Sequence, residues 1–463
     1  MRVVLADLKG TGGLVTKDTV AGGYGSRLVP FSKVSRVVQY LKRRYINLPS
    51  VQMAYLAAIC DTAGHEVLFT RNRLLDGDVA LVLSSLVDHR HETAWAHKMR
   101  ARGVRVGFVG LAASKMPQLF ADHADFVVQG EPEDAVTRLA RGETLTGLCD
   151  SAPVEDLDSL PFPRWDLLRI HQHSGFRLSV RPVGGGFPLL SSRSCPEFCT
   201  YCPHRILAGY RARSVTGIVD EIETLCDAYH EPYLIFRDPL FTQSRERVLA
   251  FCDEILARNL RVRFDVETRL DRLDRDLLDR AYVAGLRAIS YGVESVSPDS
   301  LKRVGRRPIP EAHHREVIEH CRRLGIVTAA FYVIGFPADD WQSVAATIDF
   351  AIEMDSAFAQ FKLLTPYPGT PLFKQLEASI YETDWQKFDG FTPTFTHPNL
   401  TARELMFLLG AAYTRFYVRP GYLANVLRIQ KPSVRNWMKG MDHRAASMCS
   451  RIEAGKMSRS VKC

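Results

Sequence analysis

Three cysteines in one short segment are the residues of this chain best suited to metal chemistry. Cys195, Cys199 and Cys202 have the spacing C-x-x-x-C-x-x-C, with Tyr201 between the last two. Three thiolates on one tight loop can bind three irons of a [4Fe-4S] cluster and leave the fourth iron open to a small chelating ligand. A zinc site would need a fourth ligand, and His204 is the adjacent candidate. The spacing therefore favours an iron-sulfur cluster over a zinc site or three buried thiols.

The chain around these cysteines predicts the scaffold that positions them. Strand, loop and helix patterns follow one another six times, which predicts a partial (β/α)6 barrel of the TIM type with its chemistry at the carboxyl ends of the strands. The cysteine segment directly follows the first strand, where such a barrel places its active site. The predicted strands are 187–192, 232–237, 261–266, 288–293, 327–333 and 360–365.

The cysteine segment resembles the motif of the radical S-adenosylmethionine superfamily, in which the open iron binds the amino and carboxylate groups of S-adenosylmethionine. The resemblance implies that Asp238 lies near the amino group, although the Gly-Gly-Glu form of many members is missing there. It also implies that Arg269 binds the carboxylate and that Glu294 accepts the ribose hydroxyls. The adenine site would be formed by residues of the cysteine segment and of the loop after the fifth strand: Tyr201, Gly335, Phe336 and Pro337.

The first 150 residues predict a second kind of sheet. Short apolar runs alternate with helical patterns, which indicates an α/β, Rossmann-like, doubly wound parallel sheet. In such sheets ligands bind beyond the carboxyl ends of the strands, and small residues there leave room for a large planar ligand to approach the backbone. The candidate binding residues at these strand ends are Asp7, Lys9, Ser84, Ser85, Gly110, Gly130 and Glu131.

This N-terminal region resembles the cobalamin-binding domain that precedes the barrel in one branch of the superfamily. Segments 48–59, 63–67 and 125–133 carry the resemblance, which implies cobalamin at the strand ends. The D-x-H-x-x-G motif that supplies a histidine below the cobalt in methionine-synthase-like domains is absent, so the lower axial ligand is undefined. The alternative is a degenerate flavodoxin-like domain that binds no ligand.

Prolines and one long segment without a clear helix or strand pattern predict how these parts are joined. Pro153, Pro161 and Pro163 indicate an extended connector between the two sheets. The long segment 10–47 separates the first strand from its helix and is expected to cover the cobalamin face or the substrate entry. We predict a cobalamin-binding domain over 1–150, a linker over 151–180 and a barrel over 181–375. A helical C-terminal region over 376–463 is expected to close the barrel mouth.

Composition excludes several other classes of protein. The chain has 463 residues, 46% of them hydrophobic and 24% charged, as in ordinary globular proteins. No uncharged apolar stretch reaches about 18 residues, and the first seven residues have a strand pattern rather than that of a signal peptide, so we expect a cytoplasmic protein without a transmembrane segment. The cysteines outside the motif are scattered, as free thiols are. The net charge of +8 is concentrated toward a basic tail and does not predict nucleic-acid binding.

These resemblances together imply a cobalamin-dependent radical S-adenosylmethionine enzyme, similar to anaerobic magnesium-protoporphyrin ester cyclases and carbon methyltransferases. Such enzymes use a reduced [4Fe-4S] cluster to release a 5′-deoxyadenosyl radical from S-adenosylmethionine, which abstracts hydrogen from an unactivated carbon. We expect cobalamin to deliver a methyl group to that carbon of a small-molecule, lipid or other natural-product substrate. Reduced flavodoxin or ferredoxin would be the electron donor.

Three alternatives remain at this stage. A cobalamin-bearing enzyme that performs oxidative cyclisation or rearrangement without methyl transfer would share every motif. A zinc-binding, non-catalytic module would use the cysteines structurally. A methylthiotransferase is disfavoured because it would need a second cysteine triad near the N-terminus, where the sequence offers only Cys60 and Cys149.

Overall fold

The computed structural model contains two parallel β-sheets, each of six strands, and it confirms the predicted fold class. It describes residues 1–10, 14–17, 23–28, 50–168, 177–178, 181–182 and 186–422. Most of the predicted covering segment 10–47, part of the linker and the basic tail lie outside the described residues. The domain limits at 150, 180 and 375 stay predictions.

The first sheet is doubly wound. Its strand order is β4-β1-β5-β6-β7-β8. The chain therefore adds β4 on one side of β1, and then β5 and the later strands on the other side. Such a reversal opens a crevice at the carboxyl ends of the strands. The strands are β1 (Arg2–Ala6), β4 (Glu66–Thr70), β5 (Val79–Leu83), β6 (Arg105–Val109), β7 (Phe126–Gly130) and β8 (Gly147–Ser151). A short antiparallel hairpin, β2 (Leu14–Thr16) and β3 (Ser26–Leu28), belongs to the segment after β1.

Helices cover both faces of the first sheet. The first of them begins at Ser50, whose side chain accepts a hydrogen bond from the backbone N–H of Met53. Its residues Val51–Cys60 are all buried, because the core on this side is continuous with that of the second sheet. A helix that is apolar all round is expected in such a position. The helices are α1 (Val51–Thr62), α2 (His89–Arg100), α3 (Leu111–Lys115) and α4 (Pro132–Ala140).

The second sheet has the order expected of an open barrel, since each parallel strand lies beside the next one in the chain. Its strands are β11 (Phe187–Leu189), β14 (Tyr233–Phe236), β15 (Arg263–Thr268), β16 (Leu286–Glu294), β17 (Val327–Ile334) and β18 (Phe358–Leu363). The short pair β12 (Ser192–Arg193) and β13 (Arg211–Ala212) encloses the cysteine segment. The small pair β9 (Arg177–Leu178) and β10 (Arg181–Pro182) precedes β11.

The helices of this half alternate with the strands. They are α5 (Val215–Ala228), α6 (Arg245–Ala257), α7 (Arg275–Ala284), α8 (Pro298–Arg303), α9 (Glu311–Leu324), α10 (Trp341–Met354), α11 (Pro371–Leu376) and α12 (Ala402–Tyr417). In the part of the chain that the structure describes, no helix is long and apolar enough to cross a bilayer.

Helix α12 covers the open edge of the second sheet. The expectation that the C-terminal region closes the barrel mouth stays a prediction. The Tyr413 hydroxyl donates to the carbonyl of Phe361 at 2.9 Å, and the Tyr417 hydroxyl donates to that of Ala359 at 2.6 Å. Both hydroxyls also accept from the N–H of the same strand residue. Because an exposed edge leaves backbone groups unpaired, these tyrosines satisfy β18 and protect it from pairing with other chains.

Candidate functional site

The three cysteines lie on one loop at the carboxyl end of the first barrel strand. The loop leaves β12 at Ser194, whose φ of 65° turns the chain sharply. It then closes with a hydrogen bond of 3.1 Å from the N–H of Cys202 to the carbonyl of Cys199. All three thiols are half-buried and unpaired. The barrel therefore places the cysteine segment where the sequence predicted it.

Three thiols on one loop fit a [4Fe-4S] cluster, because each thiolate would bind a different iron and the fourth iron would stay open. A zinc site would need a fourth ligand beside these thiols. His204, the adjacent candidate ligand of the zinc alternative, lines a cavity beside the loop, and burial lowers its pKa to about 4.

The buried guanidinium of Arg306 lies beside the cysteine loop. Nη1 of Arg306 lies 3.9 Å from Sγ of Cys199, and its Nη2 lies 3.4 Å from Oε1 of Glu294. The second terminal nitrogen also donates to the carbonyl of Gly292. A positive charge at this place favours the thiolate form that metal binding requires. Sequence analysis did not select Arg306, yet it joins the loop to the end of β16.

Glu294 is held in an uncommon conformation at the end of β16. Its φ is 66°, a region that residues other than glycine rarely adopt and that clusters at functional sites. Burial raises the pKa of its carboxyl, while the charge of Arg306 and a hydrogen bond from Tyr201 act in the opposite direction. A Cβ on Gly292 would come within 2.2 Å of Oε1 of Glu294, so only glycine leaves room for this arrangement.

Asp339 holds the backbone of the predicted adenine-binding segment, residues 335–337. Its Oδ2 accepts the N–H groups of Gly335 and Phe336 at 3.1 and 2.9 Å, and its Oδ1 accepts the hydroxyl of Ser300 at 2.6 Å. The φ of Gly335 is 91°, which requires glycine. Pro337 follows and is half-buried. Sequence analysis did not identify Asp339.

The two aromatic residues predicted for the adenine site lie together. The rings of Tyr201 and Phe336 are edge to face, with centroids 5.5 Å apart. Nε2 of His397 lies 2.8 Å from the carbonyl of Phe336, which ties the segment to the C-terminal region. The structure thus brings the cysteine loop, Glu294 and the segment after β17 to one end of the barrel.

The guanidinium of Arg269 is held by Asp271, but one of its terminal nitrogens lacks a hydrogen-bond partner among the described residues. Its Nε and Nη2 form a two-point contact with Asp271 at 3.0 and 2.9 Å, and Nη2 also donates to the carbonyl of Arg307. Within the described part of the chain, its buried Nη1 has no hydrogen-bond partner. A buried donor without a partner is costly, so a carboxylate of a bound ligand would stabilise this site.

The carboxylate of Asp238 is already engaged in hydrogen bonds within the protein. Its side chain is fully buried and accepts the N–H and hydroxyl of Ser191 at 3.1 and 2.8 Å, and the hydroxyl of Ser192 at 2.5 Å. These bonds fix the end of the first strand against the second, directly before the cysteine loop. Its contact with the amino group of a ligand stays a prediction.

The candidate cobalamin positions of the first sheet lie at one edge, but several side chains are engaged internally. The Ser84 hydroxyl donates to the carbonyl of Val109 at 2.8 Å. Asp7 and Lys9 pair at 3.1 Å, and burial lowers the pKa of Lys9. Gly110 and Gly130 both have positive φ, but Gly130 packs against β8, where a Cβ would come within 2.2 Å of the Ser151 carbonyl, and its N–H donates to the Ser114 hydroxyl at 3.0 Å. The Ser84 hydroxyl is therefore already engaged, and a ligand at this strand end would contact the backbone instead.

A buried ion pair holds the β2–β3 hairpin against this same edge. Lys17 and Glu92 are fully buried, with Nζ and Oε1 2.5 Å apart. Lys17 also donates to the carbonyl of Leu83 at 3.2 Å, and the Ser85 hydroxyl donates to Glu92 at 2.6 Å. The hairpin therefore covers the end of β5, where Ser85 was expected to face the cobalamin.

A cavity of about 200 Å³ lies between the two sheets. The hairpin closes one side of it, where the Tyr24 ring stacks on Tyr367 at 5.2 Å. Ser194 lines the cavity, and among the described residues its buried hydroxyl has no hydrogen-bond partner, which a ligand would supply. The wall also includes residues of the first sheet, the cysteine loop and the barrel: Leu111, Glu131, Pro203, His204, Leu207 and Lys362.

Glu131 forms part of an ion-pair clamp between the two halves. It accepts two hydrogen bonds from Arg211, and Nη1 of Arg193 lies 3.3 Å from Oε2, one of the two oxygens that Arg211 contacts. Arg193 also donates to Glu133 at 2.7 Å, and its guanidinium lies 5.4 Å from the centre of the Tyr55 ring. Because Arg193 is two residues before Cys195, the clamp sets the position of the cysteine loop relative to the first sheet.

Removing the central cation of this clamp should destabilise the protein strongly. In Arg193→Gln, the nearly fully buried Glu131 and Glu133 would lose their shared partner, which costs about 3–5 kcal/mol. The matched control is Arg415→Gln, which breaks an exposed pair with Asp349 worth about 0–1 kcal/mol. Urea denaturation measures the free energy of unfolding of each. Equal losses in the two variants would contradict the clamp.

Comparison with known proteins agrees with this geometry. Residues 189–351 match the model of the Radical SAM superfamily. An uncharacterized methyltransferase of Pyrococcus horikoshii is 27% identical over 65% of this chain and 68% of its own length. The anaerobic magnesium-protoporphyrin IX monomethyl ester cyclase of Cereibacter sphaeroides is 25% identical over 79% of this chain and 64% of its own length.

Two solved structures share the fold across both sheets. The cobalamin-dependent S-adenosylmethionine radical enzyme OxsB, with aqua-cobalamin bound, has a TM-score of 0.65 at 13% identity and covers 90% of this chain and 67% of its own. The radical S-adenosylmethionine methyltransferase TsrM from Kitasatospora setae, with cobalamin and a [4Fe-4S] cluster bound, has a TM-score of 0.58 at 16% identity. That match covers 81% of this chain and 74% of TsrM. At these identities the likeness establishes the shared fold.

Proposed function

We propose that this protein is a cobalamin-dependent radical S-adenosylmethionine enzyme that methylates an unactivated carbon of a small-molecule, lipid or other natural-product substrate. One observation carries the proposal. The cysteine loop and the strand ends of the first sheet line the same cavity, with Ser194 and His204 on one side and Leu111 and Glu131 on the other. A cluster and a cobalamin bound at these places would act on one substrate. The names of several relatives as methyltransferases support methyl transfer.

The residues of the barrel have separate proposed roles in cofactor binding. Cys195, Cys199 and Cys202 would hold the [4Fe-4S] cluster. Arg269 would bind the carboxylate of S-adenosylmethionine with its unsatisfied Nη1, and Glu294 would accept the ribose hydroxyls. When bound, the reduced cluster supplies the electron that cleaves S-adenosylmethionine to a 5′-deoxyadenosyl radical, and the cobalamin carries the methyl group.

The adenine would contact residues that the structure holds rigidly. The Tyr201 and Phe336 rings pack on each other, and the backbone of Gly335 and Phe336 is fixed by Asp339. Pro337 extends the same surface. Such a pre-ordered surface binds the purine without losing further side-chain freedom. Asp238 would meet the amino group only by sharing an oxygen that already accepts from Ser191 or Ser192.

The first sheet would present backbone to the cobalamin. Gly110 lies at the end of β6, where a planar ligand could approach the backbone. The Asp7–Lys9 pair and Ser84 lie at the neighbouring strand ends, whereas Ser85 is covered by the hairpin and Gly130 packs against Ser151. The β2–β3 hairpin closes this space from solvent, which protects a reactive carbon radical from side reactions.

Anaerobic purification tests the proposal directly. After expression with cobalamin, the protein should carry iron, sulfide and a corrinoid in near-stoichiometric amounts, because both binding places belong to the same folded chain. Incubation with a reductant and S-adenosylmethionine should release 5′-deoxyadenosine, and candidate substrates can be screened for added methyl groups by mass spectrometry. A cobalt-free protein that still turns over its substrate would reject the cobalamin role.

A second function has a specific observation in its favour. The match to the magnesium-protoporphyrin ester cyclase covers 79% of this chain, more than the 65% that the match to the Pyrococcus methyltransferase covers. The same site would then catalyse oxidative cyclisation without methyl transfer. An oxidised product with unchanged carbon count, together with 5′-deoxyadenosine, would select this function. A product heavier by one methyl group would select methylation.

The cluster also needs an electron donor, which we propose to be reduced flavodoxin or ferredoxin in the cytoplasm. The described cysteines are all free thiols, including the buried Cys60, Cys252 and Cys321. Free thiols are typical of a reducing compartment, where such low-potential carriers act.

A further inference from the structure

The cysteine loop exposes an aromatic ring on its outer side. Phe198 is 59% exposed, although it immediately precedes Cys199. Consecutive Cα atoms are about 3.8 Å apart, so the ring begins next to a proposed cluster ligand. The guanidinium of Arg205 lies over the ring, 5.1 Å from its centre. Exposed aromatic rings beside arginines are enriched at protein interfaces.

Further cations surround this ring. The N–H of Thr200 donates to the carbonyl of Val304 at 2.9 Å, which lays the segment 302–307 along the loop. Gly305 packs so closely that a Cβ there would come within 2.2 Å of the Phe198 carbonyl. The side chains of Lys302, Arg303 and Arg307 are exposed. With Arg272, which pairs with Glu197 at 3.0 Å, they form what we call the cationic face: Phe198, Arg205, Arg272, Lys302, Arg303 and Arg307.

No described residue covers most of the cationic face, whose side chains are exposed apart from the half-buried Arg272. On the other side, Ile206 and Leu207 pack against the core of the first sheet. Among the described residues, the acidic neighbours are largely paired: Glu197 is held by Arg272, Asp271 is held by Arg269, and Asp299 lies at the start of α8. A face with an apolar centre and an excess of positive charge is complementary to an acidic partner, and such complementarity speeds encounter.

We propose that the cationic face docks a flavodoxin, a small acidic flavoprotein, which delivers one electron to the cluster. The Phe198 ring would meet the apolar edge of the flavin, and the surrounding cations would meet the acidic rim. The fully reduced flavin is oxidised by one electron and the cluster is reduced by one, with no bond formed or broken between the proteins. The inference rests on the proposed function, since the cluster is the acceptor.

Binding measurements test the docking without turnover. Oxidised flavodoxin is titrated into the full-length, cluster-reconstituted protein by calorimetry at low and high salt. The double variant Lys302→Glu/Arg303→Glu should weaken binding at low salt by roughly 10-fold or more, since each rim charge changes from attraction to repulsion. The control Lys98→Glu/Arg403→Glu makes the same charge change at exposed positions of α2 and α12 and should bind as wild type does.

Two results would overturn the proposal. Equal affinity of both double variants would show that the cationic face does not bind the carrier. Tighter binding of an acidic ferredoxin than of flavodoxin would reject the flavoprotein as the occupant.

A second measurement separates this inference from the proposed function. Dithionite reduces the cluster without docking, so wild type and the Lys302→Glu/Arg303→Glu variant should cleave S-adenosylmethionine at equal rates with it. With limiting reduced flavodoxin, the variant should be roughly 10-fold slower. Equal rates with flavodoxin would reject the docking face but keep the function. No cleavage with dithionite in wild type, with binding still dependent on the face, would reject the function but keep the docking.

Discussion

Replacing Cys195, Cys199 or Cys202 with alanine should abolish reductive cleavage of S-adenosylmethionine. The three thiolates lie on one loop and each would bind a separate iron, so loss of one leaves two irons without a protein ligand. Iron and acid-labile sulfide content, together with the electron paramagnetic resonance signal after reduction, measure the cluster. The yield of 5′-deoxyadenosine measures its reactivity.

Another half-buried cysteine supplies the control for this prediction. Cys226 lies on α5, away from the loop, and Cys226→Ala should retain the cluster and the cleavage activity. A triple alanine variant of the loop that kept full iron content and full cleavage would show that the cluster lies elsewhere.

Glu294→Gln should weaken the binding of S-adenosylmethionine by roughly 10- to 150-fold while the cluster stays intact. Its carboxylate stands beside Arg306 at the end of β16, and a lost charge-assisted hydrogen bond costs about 1.5–3 kcal/mol. Equilibrium binding to the reconstituted protein is the measurement. Glu319→Gln, at an exposed position of α9, is the matched control and should bind normally.

The same prediction has a pH dependence with a defined sign. Burial raises the pKa of Glu294, so its carboxyl takes up a proton at a higher pH than an exposed glutamate does. A protonated glutamate resembles glutamine, and the affinity of wild type should therefore fall toward that of the variant as the pH is lowered. An affinity of Glu294→Gln equal to wild type at neutral pH would move the ribose contact to another residue.

The elements that carry regular patterns were predictable from the sequence. Parallel strands buried on both faces are short apolar runs, as in Val79–Leu83, and their order along the chain sets the order of the barrel. The cysteine spacing predicted the loop because its residues are neighbours in sequence. The third barrel strand was placed two residues early, and the structure extends it to Thr268, directly before Arg269.

The contacts that join distant segments were not predictable in this way. Arg306 lies in a run of basic residues that resembles a solvated surface, and only the packing of segment 302–307 on the loop buries it beside Cys199. Glu131 was read as a ligand contact from its place at a strand end, whereas the structure surrounds it with Arg193 and Arg211. Both depend on how two sheets meet, which periodicity within one segment does not encode.

The buried pair Lys17–Glu92 illustrates the same limit. Each residue type is usually exposed, and 75 positions separate them in the chain. The acidic first turn of α2 gave a weak signal, because a carboxylate at a helix start is common without any partner. A hairpin lying across strand ends can be recognised only once the sheet order is known.

The central claim is that a cluster and a cobalamin bind on opposite sides of the cavity between the two sheets and face one another across it. Pulsed electron paramagnetic resonance on protein that holds the reduced cluster and Co(II) cobalamin together tests it most directly. Because the cysteine loop and the strand ends of the first sheet line one cavity, the two unpaired spins should show a mutual coupling that is lost when either is removed. Both groups bound at full occupancy without spin coupling would contradict the shared site.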